Sequence, residues 1–122
     1  RTAPRLTLGV TRGAITPTVA TAVLACGGRG GDFVYRVHVT EPGLLRVHEE
    51  SNFDAMLELR AGCGAGHESL ACNDDAGDTR HALVQAHVAP GDYYLIVDSF
   101  RANEGGEFTL TTEFTPDVHV AR

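Results

Sequence analysis

Apolar and polar residues alternate along short stretches through almost the whole sequence. The clearest of these, 53–60, has apolar residues on one face: Phe53, Ala55, Leu57 and Leu59. A period of two is typical of a half-buried β-strand. The same pattern predicts further strands at 5–10, 15–25, 33–40, 44–50, 69–72, 80–88, 93–100 and 108–114. Gly13 is expected to end the first of these, and no window favours an amphipathic helix.

Turn residues separate the predicted strands. Pro42-Gly43 predicts a type II turn, so that 33–40 and 44–50 would pair as a hairpin, and Pro90-Gly91 predicts a second Pro-Gly turn. Stretch 93–100 is the most hydrophobic and is predicted to be a central strand. About eight or nine short strands joined in this way predict an all-β fold, an antiparallel β-sandwich of jelly-roll type. An immunoglobulin-like sandwich is the alternative.

Length and charge set further bounds. We expect the 122 residues to form a single secreted domain (1–122) with its core at 5–114 and strand-like tails at 1–10 and 115–122. The formal net charge is −6, and the ten basic residues are arginines scattered along the chain, which disfavours nucleic acid as a partner. No apolar run approaches the roughly 18 residues of a membrane span.

The three cysteines point to a compartment. Cys63 and Cys72 are close in sequence and predict a disulfide, which is typical of extracytoplasmic proteins. A metal–thiolate site is the weaker alternative because there is no CxxC motif. Cys26 would then be unpaired. The chain begins at Arg1, as expected after cleavage of a secretory leader or in an excised fragment.

Oxygen ligands are concentrated immediately after Cys72. Four residues follow within a short span: Asn73, Asp74, Asp75 and Asp78. Carboxylate and amide oxygens are the ligands of Ca²⁺, and Asp54 and Asp98 could add to them if the sheets bring them close. Alternatively, these residues accept backbone hydrogen bonds in turns. The segment is therefore a candidate calcium site.

Other chemistry has less support. His38 and His48 lie on the polar faces of two strands predicted to be neighbours, where they could bind a transition metal or respond to pH. The other histidines, including His81 and His87, show no ligand spacing. The serines lack a nucleophile-elbow context, and there is no HExxH motif or phosphate-binding glycine loop before a helix. We expect no enzymatic activity.

Four segments resemble one family. Residues 32–43, 52–63, 70–78 (LACNDDAGD) and 89–100 are similar to the bacterial pre-peptidase C-terminal domain family, most of all to its cysteine-containing variety. The resemblance implies a secreted β-sandwich without catalytic activity, often appended to proteases and other exported proteins. It also implies that calcium or a collagen-like or other polymeric ligand could be bound.

Two functions follow. The preferred hypothesis is a structural subunit that assembles with itself into an extracellular filament or surface layer, by adding tail 1–10 or 115–122 to a neighbour's sheet edge. The alternative is a binding or targeting module of a secreted protease or other exported protein, with a polymeric extracellular ligand. The sequence offers no clear aromatic platform for a sugar, since Tyr35, Tyr93 and Tyr94 fit core positions equally well.

Overall fold

The computed structural model describes residues 4–16, 32–61, 69–73, 81–99 and 104–117. Within these ranges the regular elements are β1 (Gly9–Ile15), β2 (Asp32–Val39), β3 (Gly43–Ser51), β4 (Ala55–Arg60), β5 (Ser69–Asn73), β6 (Ala82–Val88), β7 (Gly91–Ser99) and β8 (Gly106–Pro116). The described residues include no helix with the length and apolarity needed to cross a membrane.

The strands form two four-stranded antiparallel sheets. The front sheet has the order β1-β8-β3-β6, and the back sheet has the order β2-β7-β4-β5. The pairs β1–β8, β2–β7, β3–β6 and β4–β5 are therefore nested one inside another. This is the connectivity of a jelly roll, and it confirms the predicted all-β sandwich.

The core lies between the two sheets, where one face of each strand is buried. The face predicted for 53–60 is confirmed, because Phe53, Ala55, Leu57 and Leu59 are all buried and belong to one cluster. The front sheet supplies Val47, Phe108 and Leu110 to the same cluster, among others. The most hydrophobic strand, β7, lies between β2 and β4 and is central as predicted.

The predicted hairpin between 33–40 and 44–50 is wrong. β2 pairs with β7 in the back sheet, whereas β3 pairs with β6 and β8 in the front sheet. The Pro42-Gly43 corner therefore carries the chain from one sheet to the other, as does Pro90-Gly91 between β6 and β7. Gly43 does not have the positive φ of a type II turn, so the predicted turn type is also wrong.

The first strand is displaced from its predicted position. β1 covers Gly9–Ile15 rather than 5–10, and Gly13 lies inside it. A Cβ at Gly13 would approach Phe108 Cζ to 2.5 Å and the Tyr35 hydroxyl to 2.6 Å. The glycine therefore marks a close approach within a strand and not a strand end. The predicted strand 15–25 lies outside the described residues beyond position 16.

The outer face of the back sheet is also buried, contrary to the half-buried pattern predicted for 53–60. Met56, Glu58 and Asp98 are 0% exposed, and Ile96 and Arg60 are 2% and 8% exposed. Glu58 and Arg60 lie two residues apart on β4, and Arg60 Nη2 is 2.8 Å from Glu58 Oε1. Because the ion pair satisfies both charges, the polar residues of β4 can be buried.

Glu49, on β3, is the one carboxylate on the inner face of the front sheet among its described residues. Glu49 is fully buried, and the Ala82 amide donates to its Oε1 at 3.4 Å. Burial raises the pKa of Glu49 above its ordinary 4.5, although hydrogen bonds with the Ser51 side chain and the Ala82 amide, and the nearby His81, oppose the shift. The ionised form of Glu49 therefore destabilises the fold.

We expect Glu49→Gln to stabilise the protein in a pH-dependent way. Below pH 4.5 Glu49 is protonated in both the folded and unfolded chain, so the variant should gain little. As pH rises from 4.5 through the raised folded pKa, the wild type loses stability, so the variant should be more stable than the wild type at pH 7. Urea unfolding at pH 4 and pH 7 measures this, with the exposed Glu107→Gln as control. An equal change at both pH values would contradict the assignment.

Candidate functional site

A cleft opens at one end of the sandwich, where the two sheets meet. Its volume is about 250 Å³, and it is lined by Leu8, Val37, His38, Val39, Thr40, Glu41, Leu45 and Phe114. Val37 and Val39 come from β2 in the back sheet, whereas Leu45 and Phe114 come from β3 and β8 in the front sheet. The cleft is thus an accessible part of the core, with an apolar floor and a polar rim.

The rim of the cleft has a defined polar arrangement. His38 Nδ1 lies 2.7 Å from Asp92 Oδ1, and both side chains are exposed. His38 and Asp92 are cross-strand partners in β2 and β7. Leu8, just before β1, is 63% exposed beside this rim. The cleft is smaller than most small-molecule sites, and it has the size to accept one apolar side chain of a larger ligand.

The outer face of the front sheet is the more accessible of the two sheet faces. Its exposed residues include Val10 at 59% and Leu44 at 39%, together with an ion pair between Arg46 Nη1 and Glu113 Oε1 at 3.2 Å. At its far edge His87 Nε2 lies 2.7 Å from Asp117 Oδ1. In the described structure this outer face, which has both apolar and charged residues, is therefore the sheet face that is accessible to a partner.

The predicted pairing of His38 with His48 is wrong, because their strands lie in different sheets. His48 instead approaches His81, a residue that shows no ligand spacing in the sequence. The two ring centroids are 5.7 Å apart with an interplanar angle of 82°. His81 immediately precedes β6, and β3 and β6 are neighbours in the front sheet. This juxtaposition depends on long-range strand order, which local sequence does not reveal.

The calcium candidates are only partly described. Asp54 directly precedes β4, and Asp98 on β7 is the cross-strand partner of Met56, so both lie at the same end of the back sheet. Asp98 is fully buried. Asn73 is the last residue of β5, and Asp74, Asp75 and Asp78 lie outside the described residues. Calcium binding by this group stays a prediction.

The predicted disulfide is likewise only partly described. Cys72 lies on β5 opposite Glu58, next to the buried outer face of the back sheet. Cys63 and Cys26 lie outside the described residues. The Cys63–Cys72 bridge and the unpaired state of Cys26 therefore stay predictions.

Several described residues of both predicted tails pair within the same chain. Arg5 forms a parallel bridge with Arg36, in which Leu6 N donates to Arg36 O at 2.8 Å, and residues 9 and 10 pair with β8. At the other end, Pro116 is opposite Gly43, and Asp117 N donates to Pro42 O at 3.0 Å. These backbone groups are already used, so they are not available for a neighbouring molecule.

The fold, two antiparallel sheets with jelly-roll connectivity, is similar to that of a pre-peptidase C-terminal domain. That domain of a Bacillus anthracis collagenase is 18% identical to the chain, with a TM-score of 0.65 over 92% of this chain and 95% of the other.

PliG from Aeromonas hydrophila, a periplasmic inhibitor of g-type lysozyme, is similar to the same degree. It is 18% identical, with a TM-score of 0.65 over 93% of this chain and 95% of the other. The Salmonella Typhimurium PliG reaches 13% identity and a TM-score of 0.52 over 88% and 89%. No family model and no curated protein matches the sequence. At these identities the structures establish the fold alone.

Proposed function

We propose that this chain is a non-catalytic binding module of an exported protein, and that the end cleft receives an apolar side chain of an extended polypeptide ligand. The observation that carries the proposal is the cleft itself. Inner-face side chains, Val39, Leu45 and Phe114, line an opening that solvent reaches, beside the exposed Leu8. An opening with an apolar floor can bury a side chain of a ligand, which is how binding clefts gain much of their affinity.

The energetics favour a polymeric ligand over a small one. Full burial of one aliphatic side chain contributes about 1.5–3 kcal/mol, which is too little for stable binding alone. A longer chain adds contacts along the edge of the sheet next to the cleft. β1, the outermost strand of the front sheet in the part of the chain described, offers such an edge, where an extended peptide gains backbone hydrogen bonds.

The solved structures support the same class of function. One is a domain of a collagenase, and the other two are periplasmic inhibitors of g-type lysozyme. A polypeptide ligand and an exported location for this chain are consistent with these similar structures. A sugar ligand has less support, because Tyr35 and Tyr93 are buried at 4% and 9% exposure and form no stacking platform.

Self-assembly through the terminal segments is the competing hypothesis, and it stays a prediction. Its support was the pair of strand-like tails, but residues 9–10 and 115–116 pair with β8 and β3 of the same chain. A strand exchange through residues 9–10 or 115–116 would therefore have to break these pairings within the chain first. Light scattering of the purified chain distinguishes an assembly from a monomer.

The test uses gelatin, an extended polypeptide, immobilised for surface plasmon resonance. We expect the purified chain to bind, and Leu8→Asp to weaken binding at least about tenfold, because a carboxylate at the cleft loses solvation when the ligand closes over it. Leu44→Asp is the control: Leu44 is also an exposed leucine, at 39%, but it lies on β3, away from the β1 edge, and does not line the cleft. Equal losses in both variants, or no binding of gelatin, would contradict the proposal.

A further inference from the structure

Three potential metal ligands meet on the outer face of the front sheet. His48 and Glu50 are two residues apart on β3 and point to the same side, and His81 immediately precedes β6. Glu49 is the cross-strand partner of Ala82, so the same register places His81 opposite Glu50. One ligand atom from each of the three residues lies within 4.8 Å of the other two.

We infer that His48, Glu50 and His81 form a binding site for a late first-row divalent cation such as Zn²⁺. Two imidazole nitrogens and one carboxylate oxygen are ligands that Zn²⁺ and its neighbours in the series prefer, whereas Ca²⁺ and Mg²⁺ prefer oxygen alone. This site is separate from the acidic segment after Cys72 and from the end cleft.

The geometry allows the ligands to close around a metal ion. Bonds of about 2.0–2.1 Å in a tetrahedral site place neighbouring ligand atoms roughly 3.3 Å apart. Any two of the ligand atoms therefore have to approach each other by at most about 1.5 Å, and the Glu50 side chain can move because it is exposed. His48 and His81 are half-buried, and their rings already meet edge to face. A cation therefore has access from solvent and two ligands held by the sheet.

The other described histidines provide a contrast. His38 and His87 are each close to a single carboxylate, Asp92 and Asp117 respectively, at 2.7 Å. Among the residues described, the only group of three potential ligands is His48, Glu50 and His81. Three protein ligands leave at least one coordination position for water or for a donor group of a partner.

The experiment is calorimetric titration of the full, chelator-treated chain with ZnCl₂, after alkylation of accessible thiols. We expect one Zn²⁺ per chain, and at least about tenfold weaker binding in His48→Ala and in His81→Ala. Glu50→Gln, which conserves shape at an exposed position, should also weaken binding without changing the melting temperature of the metal-free protein. A tenfold excess of Ca²⁺ should not compete.

His38→Ala and His87→Ala are the matched controls, and both should bind Zn²⁺ as the wild type does. Co²⁺ provides a second measurement, because its d–d absorption bands report coordination by nitrogen and oxygen. The inference is overturned if the chain binds no Zn²⁺. It is equally overturned if the control variants lose as much affinity as His48→Ala, or if excess Ca²⁺ displaces the ion.

Discussion

Replacing Arg60 with methionine is expected to destabilise the protein by about 3–5 kcal/mol. Arg60 Nε and Nη2 both contact Glu58 Oε1, at 2.9 and 2.8 Å, and the Glu58 side chain is only 1% exposed. Methionine fills a similar volume but removes the guanidinium, so the buried carboxylate loses the positive charge next to it. Chemical denaturation of the wild type and the variant at pH 7 measures the change in the free energy of unfolding.

A double variant separates lost charge pairing from lost packing. Adding Glu58→Gln to Arg60→Met removes the buried charge, and should recover much of the loss. Recovery should be incomplete, because Glu58 and Arg60 both have further interactions. If the two substitutions simply added, the destabilisation would come from packing and the ion pair would contribute little.

The second large effect is expected at the Pro42-Gly43 corner. In Gly43→Ala the new Cβ would overlap the Thr115 carbonyl oxygen and would lie 2.8 Å from Pro116 Cα. Because these are backbone atoms of the neighbouring strand β8, they cannot rotate away, and β3 and β8 would have to separate. We expect a loss of about 3 kcal/mol, at the upper end of the cost of overpacking, measured by thermal and urea unfolding.

Thr115→Ala is the control for this glycine. It changes an exposed side chain on the same residue whose carbonyl oxygen is approached, and leaves the backbone unchanged. Its effect should stay below about 1 kcal/mol. A similar loss in both variants would show that the β3–β8 contact is sensitive to any change and that the missing Cβ is not its specific requirement.

Much of the fold could be predicted because period-two alternation is a local signal. Seven of the predicted strands coincide with β2 to β8 to within two residues at each end, and the core face of 53–60 is correct. The pairing of strands could not be predicted in the same way. Pro42-Gly43 is compatible with either a hairpin or a crossing between sheets, and the choice depends on which distant strand each neighbour meets.

The candidate sites were predicted less well, for the same physical reason. The cleft combines Leu8, Val39 and Phe114 from three separate stretches, and none of them has a functional signature by itself. His48 and His81 meet only because β3 pairs with β6. Conversely, Glu58 and Arg60 are charged residues that the alternation pattern assigned to solvent, whereas mutual neutralisation allows them to be buried.

The nested pairing has a consequence for the time course of folding. β4 and β5 are near in sequence, but β1 pairs only with β8 among the described strands, and its partner Thr112 is over a hundred residues beyond Gly9. Such non-local contacts are typical of proteins that fold in milliseconds to seconds. During synthesis, β1 has no sheet partner until β8 has left the ribosome. The front sheet can therefore be completed only after β8 (Gly106–Pro116) has been synthesised, so its folding cannot proceed strand by strand as the chain emerges.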